Sequence, residues 1–588
     1  MILQALTSLY EALAPKGEVP KEGWSREKIS FALGIDENGD LLRITPLFKP
    51  GDMPKGKKKE EPQEMTVPAA VKRTSGAAAN FLWDNSSYIL GVSLKKGEDD
   101  AEREKRRNKD IKCFEACREL HHSMLDGMEY PAAKAVLNFL DKWEPQKAEE
   151  NNLVAQYAKE ILSGANMVFR FNGGYVHDDP QLASVWQKAN AKQKDNIGQC
   201  LVTGALDEIQ KTHPTIKGVQ GAQSSGAALV SFNASAFCSY NKEQNQNAPV
   251  GKYAAFAYTT ALNHLLADRK NVHRIGDAAV VCWAENADKQ YEDFAAEVFF
   301  GDNVDKSDEQ RLSALRTSLK LLADGLPCKE MDLDPDRKFY ILGLSPNAAR
   351  LAVRFFYCDS FGKIAGNIYK HHERLEIVRP SYDKFPILPL WKLLSATVNP
   401  SAKDKTPNSA MAGAVARAVF SGGRYPASLL ECTFLRIKAE RNITRERAAI
   451  IKAYYLRNPN EKCPKEVLTV SLNENSKNIP YTLGRLFSVY EEIQQAANPG
   501  INTTIKDRYF GSAAAMPATV FPILSNLAQK HLRKLSDAQR VYLDKKVMTL
   551  KSVLGEQYPA HMSLPEQGSF DLGYYHQTQA RYTKKEDK

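Results

Sequence analysis

The sequence predicts an α+β protein: a mixed α/β amino-terminal region with antiparallel sheet elements over residues 1–385, then a carboxy-terminal α-helical bundle over 386–588. Short runs rich in β-branched and aromatic residues, bounded by Asn-Gly and Gly-rich turns, recur before Pro386 and nearly vanish after it. Beyond that point the apolar residues fall at helical spacing. A chain of 588 residues with 43% hydrophobic and 26% charged residues is globular in composition, and its length suits about two to four domains.

The first segment, "MILQALTSLYEALAPKG", has helical periodicity and no basic leader, so it reads as a mature amphipathic helix and not a signal peptide. "KISFALGIDENGDLLRITPLF" sets two strand-like runs around Asn38-Gly39, a hairpin signal. "KPGDMPKGKKKEEPQEM" reads as a mobile, charged loop. From Asp99 to about Gly164 the pattern is helical, and strands return at "ANMVFRFNGGYVHDDP". The stretch "HPTIKGVQGAQSSGAALVSFN", residues 213–233, reads as a Gly-rich loop entering the strand "AALVSFN". The helix "KYAAFAYTTALNHLLAD" follows, and strands are expected at "DAAVVCWAE", "KFYILGL" and "RLAVRFFYC", the last with alternating faces. Four helical segments, including "YTLGRLFSVYEEIQQAA" and "PATVFPILSNLAQKHLRKL", dominate the remainder.

A net charge of +10 suits a polyanionic partner, with phosphate backbones first among them. Nine cysteines without regular spacing read as free thiols in a reducing compartment, and no apolar run approaches the roughly 20 residues of a membrane span. The expected location is the cytoplasm, with no membrane partner.

The usual catalytic signatures fail in turn. Cys113, Cys117 and His121 share one helix face, but structural zinc draws ligands from two elements and no second pair follows, so core packing is the expectation. His371-His372 reads as an exposed helix face. Gly218, Gly221 and Gly226 do not match a P-loop, and no nucleophile elbow is present. His177-Asp178 leaves one enzymatic alternative, a metal-dependent nuclease. With neither cofactor nor metal implied, a non-catalytic binding role leads.

DNA recognition needs cations for phosphates and amides or hydroxyls for base edges, with glycines where the main chain must come close. The 213–233 stretch offers Lys217 for phosphate and Gln220, Gln223, Ser224, Ser225 and Asn233 for bases. "VKRTSGAAANFLWDNSS" offers Lys72 and Arg73 with Asn80 and Asn85. Its Phe81 and Trp83 are either a wedge between base pairs or a buried anchor, with burial favoured. "SYNKEQNQNAPV" adds Lys242, Gln244, Asn245 and Asn247, and the helical region adds Lys506, Arg508, Lys530, Arg533 and Lys534 as a track for a displaced strand.

Segments from one end of the chain to the other, among them "MILQALTSLYEALA", "NFLWDNSSYILGV", "QNAPVGKYAAFAYTTALN", "LGLSPNAARLAVRFF", "TIKDRYFGSA" and "LGYYHQTQARYTKK", resemble in order the large subunit of the type I-C CRISPR surveillance complex, Cascade. The resemblance implies a non-enzymatic subunit that recognises the protospacer-adjacent motif in double-stranded DNA and helps form the R-loop. Its implied partners are CRISPR RNA, target duplex and displaced strand, the backbone and small subunits of the complex, and a recruited helicase-nuclease. It also implies that residues from about 468 to 588 correspond to a small subunit made from an internal start near Val467 to Ser471, which has no methionine there and would need a non-AUG codon.

Overall fold

The computed structural model describes residues 1–50, 60–71, 73, 76–95, 97–192, 196–301 and 309–582. Lys72 and the lysine-rich segment at 51–59 therefore lie outside the described residues. The chain forms two compact units: Tyr10–His213 with Phe232–Ala261, and Met1–Leu9 with Pro214–Ser231 and Leu262–Lys588. The change of texture at 386 falls inside the second unit.

In the first unit the Asn38-Gly39 hairpin forms as expected, Phe31–Ile35 pairing antiparallel with Leu41–Pro46. Phe31–Ile35 also pairs parallel with Asn166–Phe171, which in turn pairs with Trp83–Asn85 and with Gly174–Tyr175. A parallel pair needs a long crossover, and the chain between these strands supplies it with the helices Asp100–Leu125 and Pro131–Lys142. Phe31, Leu33, Phe81, Phe139 and Phe169 meet in the core beneath them. A second sheet orders Trp24–Ile29, Glu60–Pro68 and Phe48–Pro50. The end of the expected charged loop is thus a strand, because Met65 and Val67 are buried while Glu64 and Thr66 are exposed, the period of two that a half-buried strand requires.

The second unit holds a four-stranded antiparallel sheet, in order His273–Ile275, Ala278–Ala284, Lys338–Asn347 and Arg350–Ser360. The alternation expected in the last strand is broken by a bulge: Gly343 faces Phe355 and Leu344 faces Val353, leaving Arg354 as the extra residue. Arg354 uses that position to reach Asp277 at 3.0 Å and the Ser345 hydroxyl at 2.9 Å. The segment "AALVSFN" is a correction, since it makes bridges at Ala227 and Ala228 only. Ala227 pairs with Ile216, Ala228 turns to Ala349 and Leu351, and with two different partners no continuous ladder can propagate.

From 386 onward the described residues contain helices and no strand. The helices Ile479–Ala497 and Leu564–Ala580 cross glycine on glycine: a Cβ on Gly484 would strike the Phe570 carbonyl, and one on Gly573 the Tyr481 carbonyl. That approach lets polar groups meet in the interior, with Tyr574 donating to Glu491 at 2.6 Å, Arg485 to Gln577 at 3.1 Å, and Tyr481 meeting His576 at 2.9 Å. Backbone blocks relief of the clash on both sides, so Gly484→Ala should destabilise this unit by about 3 kcal/mol. Gly511, with no atom near its absent Cβ, should instead gain about 0.5–1 kcal/mol as alanine. Denaturant midpoints of the two variants check the contrast.

Candidate nucleic-acid interface

The loop at 214–231 belongs wholly to the second unit. Its neck is closed by a reciprocal pair, Ile216 N–H to Ala227 O at 2.8 Å and Ala227 N–H to Ile216 O at 2.9 Å. Asn263 clamps the incoming arm from the helix Lys252–Ala267: its Oδ1 accepts from Lys217 N–H at 2.8 Å and its Nδ2 donates to Thr215 O at 3.1 Å. Beyond the neck the chain makes two tight turns, Ala222 N–H to Val219 O at 3.1 Å and Gly226 N–H to Gln223 O at 2.9 Å. Gly226 has φ +95° and sits where a Cβ would lie 2.8 Å from Thr215 Cβ, so both backbone angle and space require glycine.

The tip is presented outward. Gln220, Gln223, Ser224 and Ser225 are exposed, as is Lys217. Gln220 accepts from Arg274 at 2.9 Å, which fixes its carboxamide against the sheet. Among the described residues, the side chains of Gln223, Ser224 and Ser225 make no hydrogen bond to the protein. Asn263 and Arg274 escaped the sequence reading; the signal for the first was a lone carboxamide among the alanines and leucines of "TTALNHLLAD".

The "NFLWDNSS" cluster lies in the first unit and is a buried knot. Asn80 is 3% exposed and its Oδ1 accepts from Val71 N–H at 2.9 Å. Arg73 bonds Asp84, donates to Ala78 O at 2.7 Å and lies 3.9 Å over the Tyr88 ring. Both residues therefore hold the loop together. Asn85 is half-buried and caps the short helix Ser86–Ile89 through Ser87 N–H at 3.0 Å. Phe81 is fully buried between His121 and Trp186, and Trp83 donates to Pro68 O at 2.7 Å, so the aromatics are the anchor and not a wedge.

Asn233 and Lys242 are exposed in the 232–250 loop of the same unit. The neighbouring amides are turned inward: Asn245 donates to Gln210 O at 2.8 Å and meets His213 at 2.7 Å, while Asn247 accepts from Ser239 N–H at 2.9 Å. In the helical region Arg508, Lys530, Arg533 and Lys534 are exposed. Lys506 differs, because its ammonium lies 5.4 Å over Tyr574 and burial lowers its pKa.

His121 and His371 take structural roles. His121 Nδ1 donates to Cys117 O at 2.7 Å, leaving Nε2 to accept from Leu82 N–H at 3.0 Å. Leu82 has φ +63°, a left-handed conformation costly for leucine, and His121 receives the amide that this geometry turns inward. His371 is a correction: it is 4% exposed, with Nδ1 2.6 Å from the Tyr425 hydroxyl, because the helix Phe361–Leu375 packs that face inward. His177 is 1% exposed and burial lowers its pKa, whereas Asp178 is open to solvent. Among the described residues no three His, Cys, Asp or Glu side chains are grouped to hold a metal. All nine cysteines are free, and no described helix is long and apolar enough to cross a membrane.

A family model described as CRISPR-associated protein (Cas_Csd1) matches residues 6–582. The chain belongs to the Cas_Csd1 family. The large-subunit resemblance read from the sequence agrees with that membership. No curated protein matches this Cas_Csd1 chain.

Burial lowers the His121 pKa to about 4, so the folded chain keeps the imidazole neutral where an unfolded one, near 6.5, takes a proton. Stability from this contact is therefore present above pH 6.5 and lost as pH falls toward 4, by up to about 1.4 kcal/mol per pH unit. Hydrogen exchange of the Leu82 amide, corrected for its intrinsic rate, should lose protection across that window.

Proposed function

We propose that this Cas_Csd1 protein is the large subunit of a type I-C surveillance complex and reads the protospacer-adjacent motif in duplex DNA through the tip of the 214–231 loop. The observation that carries this reading is the pairing of a clamped neck with a tip whose Gln223, Ser224 and Ser225 side chains are left without internal partners. A glutamine carboxamide can accept and donate at once to a base edge, and the hydroxyls add contacts of either sense. Lys217, just outside the neck, is exposed and positioned by its own backbone bond to Asn263, which suits a phosphate contact.

In this reading the chain does no chemistry. Motif contacts start strand separation, pairing with CRISPR RNA extends the R-loop, and a separate helicase-nuclease cuts. Exchanging DNA pairs for RNA–DNA pairs is nearly balanced, so a few kcal/mol at the motif is enough to tip it. Arg508, Lys530, Arg533 and Lys534, all exposed, supply charge for the displaced strand, and Asn85, Asn233 and Lys242 are secondary contacts from the first unit. The carboxy-terminal helices from about residue 468 are also made separately as a small subunit, and the backbone subunits complete the cytoplasmic assembly.

Gln223→Ala in the assembled complex should weaken binding of motif-bearing duplex by about 1–3 kcal/mol, the worth of a good base contact, while sparing a target whose strands are already separated. Gel-shift titrations on the two substrates give the comparison. Equal loss on both would remove the loop from motif reading.

A further inference from the structure

The second unit contains a cavity of about 310 Å³ between the helices Glu309–Ala323 and Phe361–Leu375 and the segment around Leu388. That volume is at the lower end of the range for small-ligand sites, roughly 300–1,000 Å³. Its apolar lining includes Leu319, Leu375 and Leu388, all buried, and the half-buried ring of Tyr369. Arg316 and Lys320, one turn apart on the first helix, supply charge and are exposed. Neither makes an ion pair or hydrogen bond among the described residues.

Arg445 gives a second and independent observation. It lines the cavity and is 6% exposed. Its Nη1 bonds Asp383 at 2.9 Å and the Phe385 carbonyl, and its Nη2 bonds Pro386 O at 3.1 Å, yet its buried Nε has no partner. A buried guanidinium N–H without an acceptor is costly, and an anion held in the adjoining cavity would offer one. Two carboxylates, Glu373 and Glu376, share the lining. Lys452 counters them: its buried ammonium donates to Arg374 O at 3.1 Å and Glu376 O at 2.7 Å at the end of their helix, and both carboxylates attract it. His372, also in the lining, is kept neutral by burial and by Arg316.

We propose that this cavity receives a nucleoside monophosphate unit, its base against Tyr369, Leu375 and Leu388 and its phosphate between Arg316, Lys320 and the Arg445 edge. A flat ring matches the apolar and aromatic walls, where a base can stack. A phosphate, with more charge and more acceptor oxygens than a carboxylate, matches several cations at once. The same chemistry is carried by a free mononucleotide and by one residue of a single strand. This site stands apart from the 214–231 loop and does not rest on motif reading.

Calorimetric titration of the full chain with 5′-AMP, with adenosine, with inorganic phosphate and with an eight-nucleotide DNA strand tests it. The expected result is binding of AMP at least tenfold tighter than either adenosine or phosphate, reduced at least tenfold by Arg316→Glu with Lys320→Glu at an unchanged melting temperature. Binding of the octamer alone, lost in the same double variant, assigns the site to a strand residue and equally supports it. Absence of binding by both AMP and the octamer at millimolar concentration overturns the proposal. So does binding that the double variant leaves intact.

Discussion

One carboxamide governs what the 214–231 loop can do. By bonding the backbone on both sides of Ile216, Asn263 fixes the path of the incoming arm, and the Ile216–Ala227 pair then closes the neck. Backbone groups that must otherwise be satisfied by tip side chains are satisfied there. Gln223, Ser224 and Ser225 are consequently free of structural duty. A recognition loop on a rigid base loses little conformational entropy when it binds, because the ordering was completed on folding.

The cluster around Asn80 shows the opposite use of similar residues. Asparagine, arginine and aspartate there bond one another and the local backbone, and Leu82 adopts a left-handed conformation supported by a buried neutral histidine. An amide spent on an internal N–H has fewer groups left for a base edge. Side-chain type alone therefore does not tell which amides are spent on the fold, and the hydrogen bonds do. The 232–250 loop repeats the lesson, with Asn245 and Asn247 turned inward while Lys242 points out.

Much of the architecture was legible in the sequence because it rests on local signals. The Asn38-Gly39 hairpin, the turn at Asn172-Gly173 and the helices after 386 all follow from turn chemistry or periodicity. What was illegible depended on contacts distant in sequence. The strand Glu60–Pro68 exists through pairing with Trp24–Ile29, the bulge at Arg354 answers to Gly343 and Asp277, and His371 is buried by Tyr425. At the candidate site the exposed glutamine and serines were readable as types, whereas the clamp by Asn263, 46 residues beyond Lys217, was not.

Under the proposed function the loop divides its labour: a clamped backbone sets position, and three side chains without internal partners face outward, available to a base edge. Site-specific photo-crosslinking from residue 224, with a photoreactive amino acid in place of the serine, tests this most directly in the assembled complex on target duplex. The crosslink should map to the base pairs of the protospacer-adjacent motif and vanish when those pairs are scrambled. A crosslink to another protein subunit, or to DNA regardless of the motif, would contradict it.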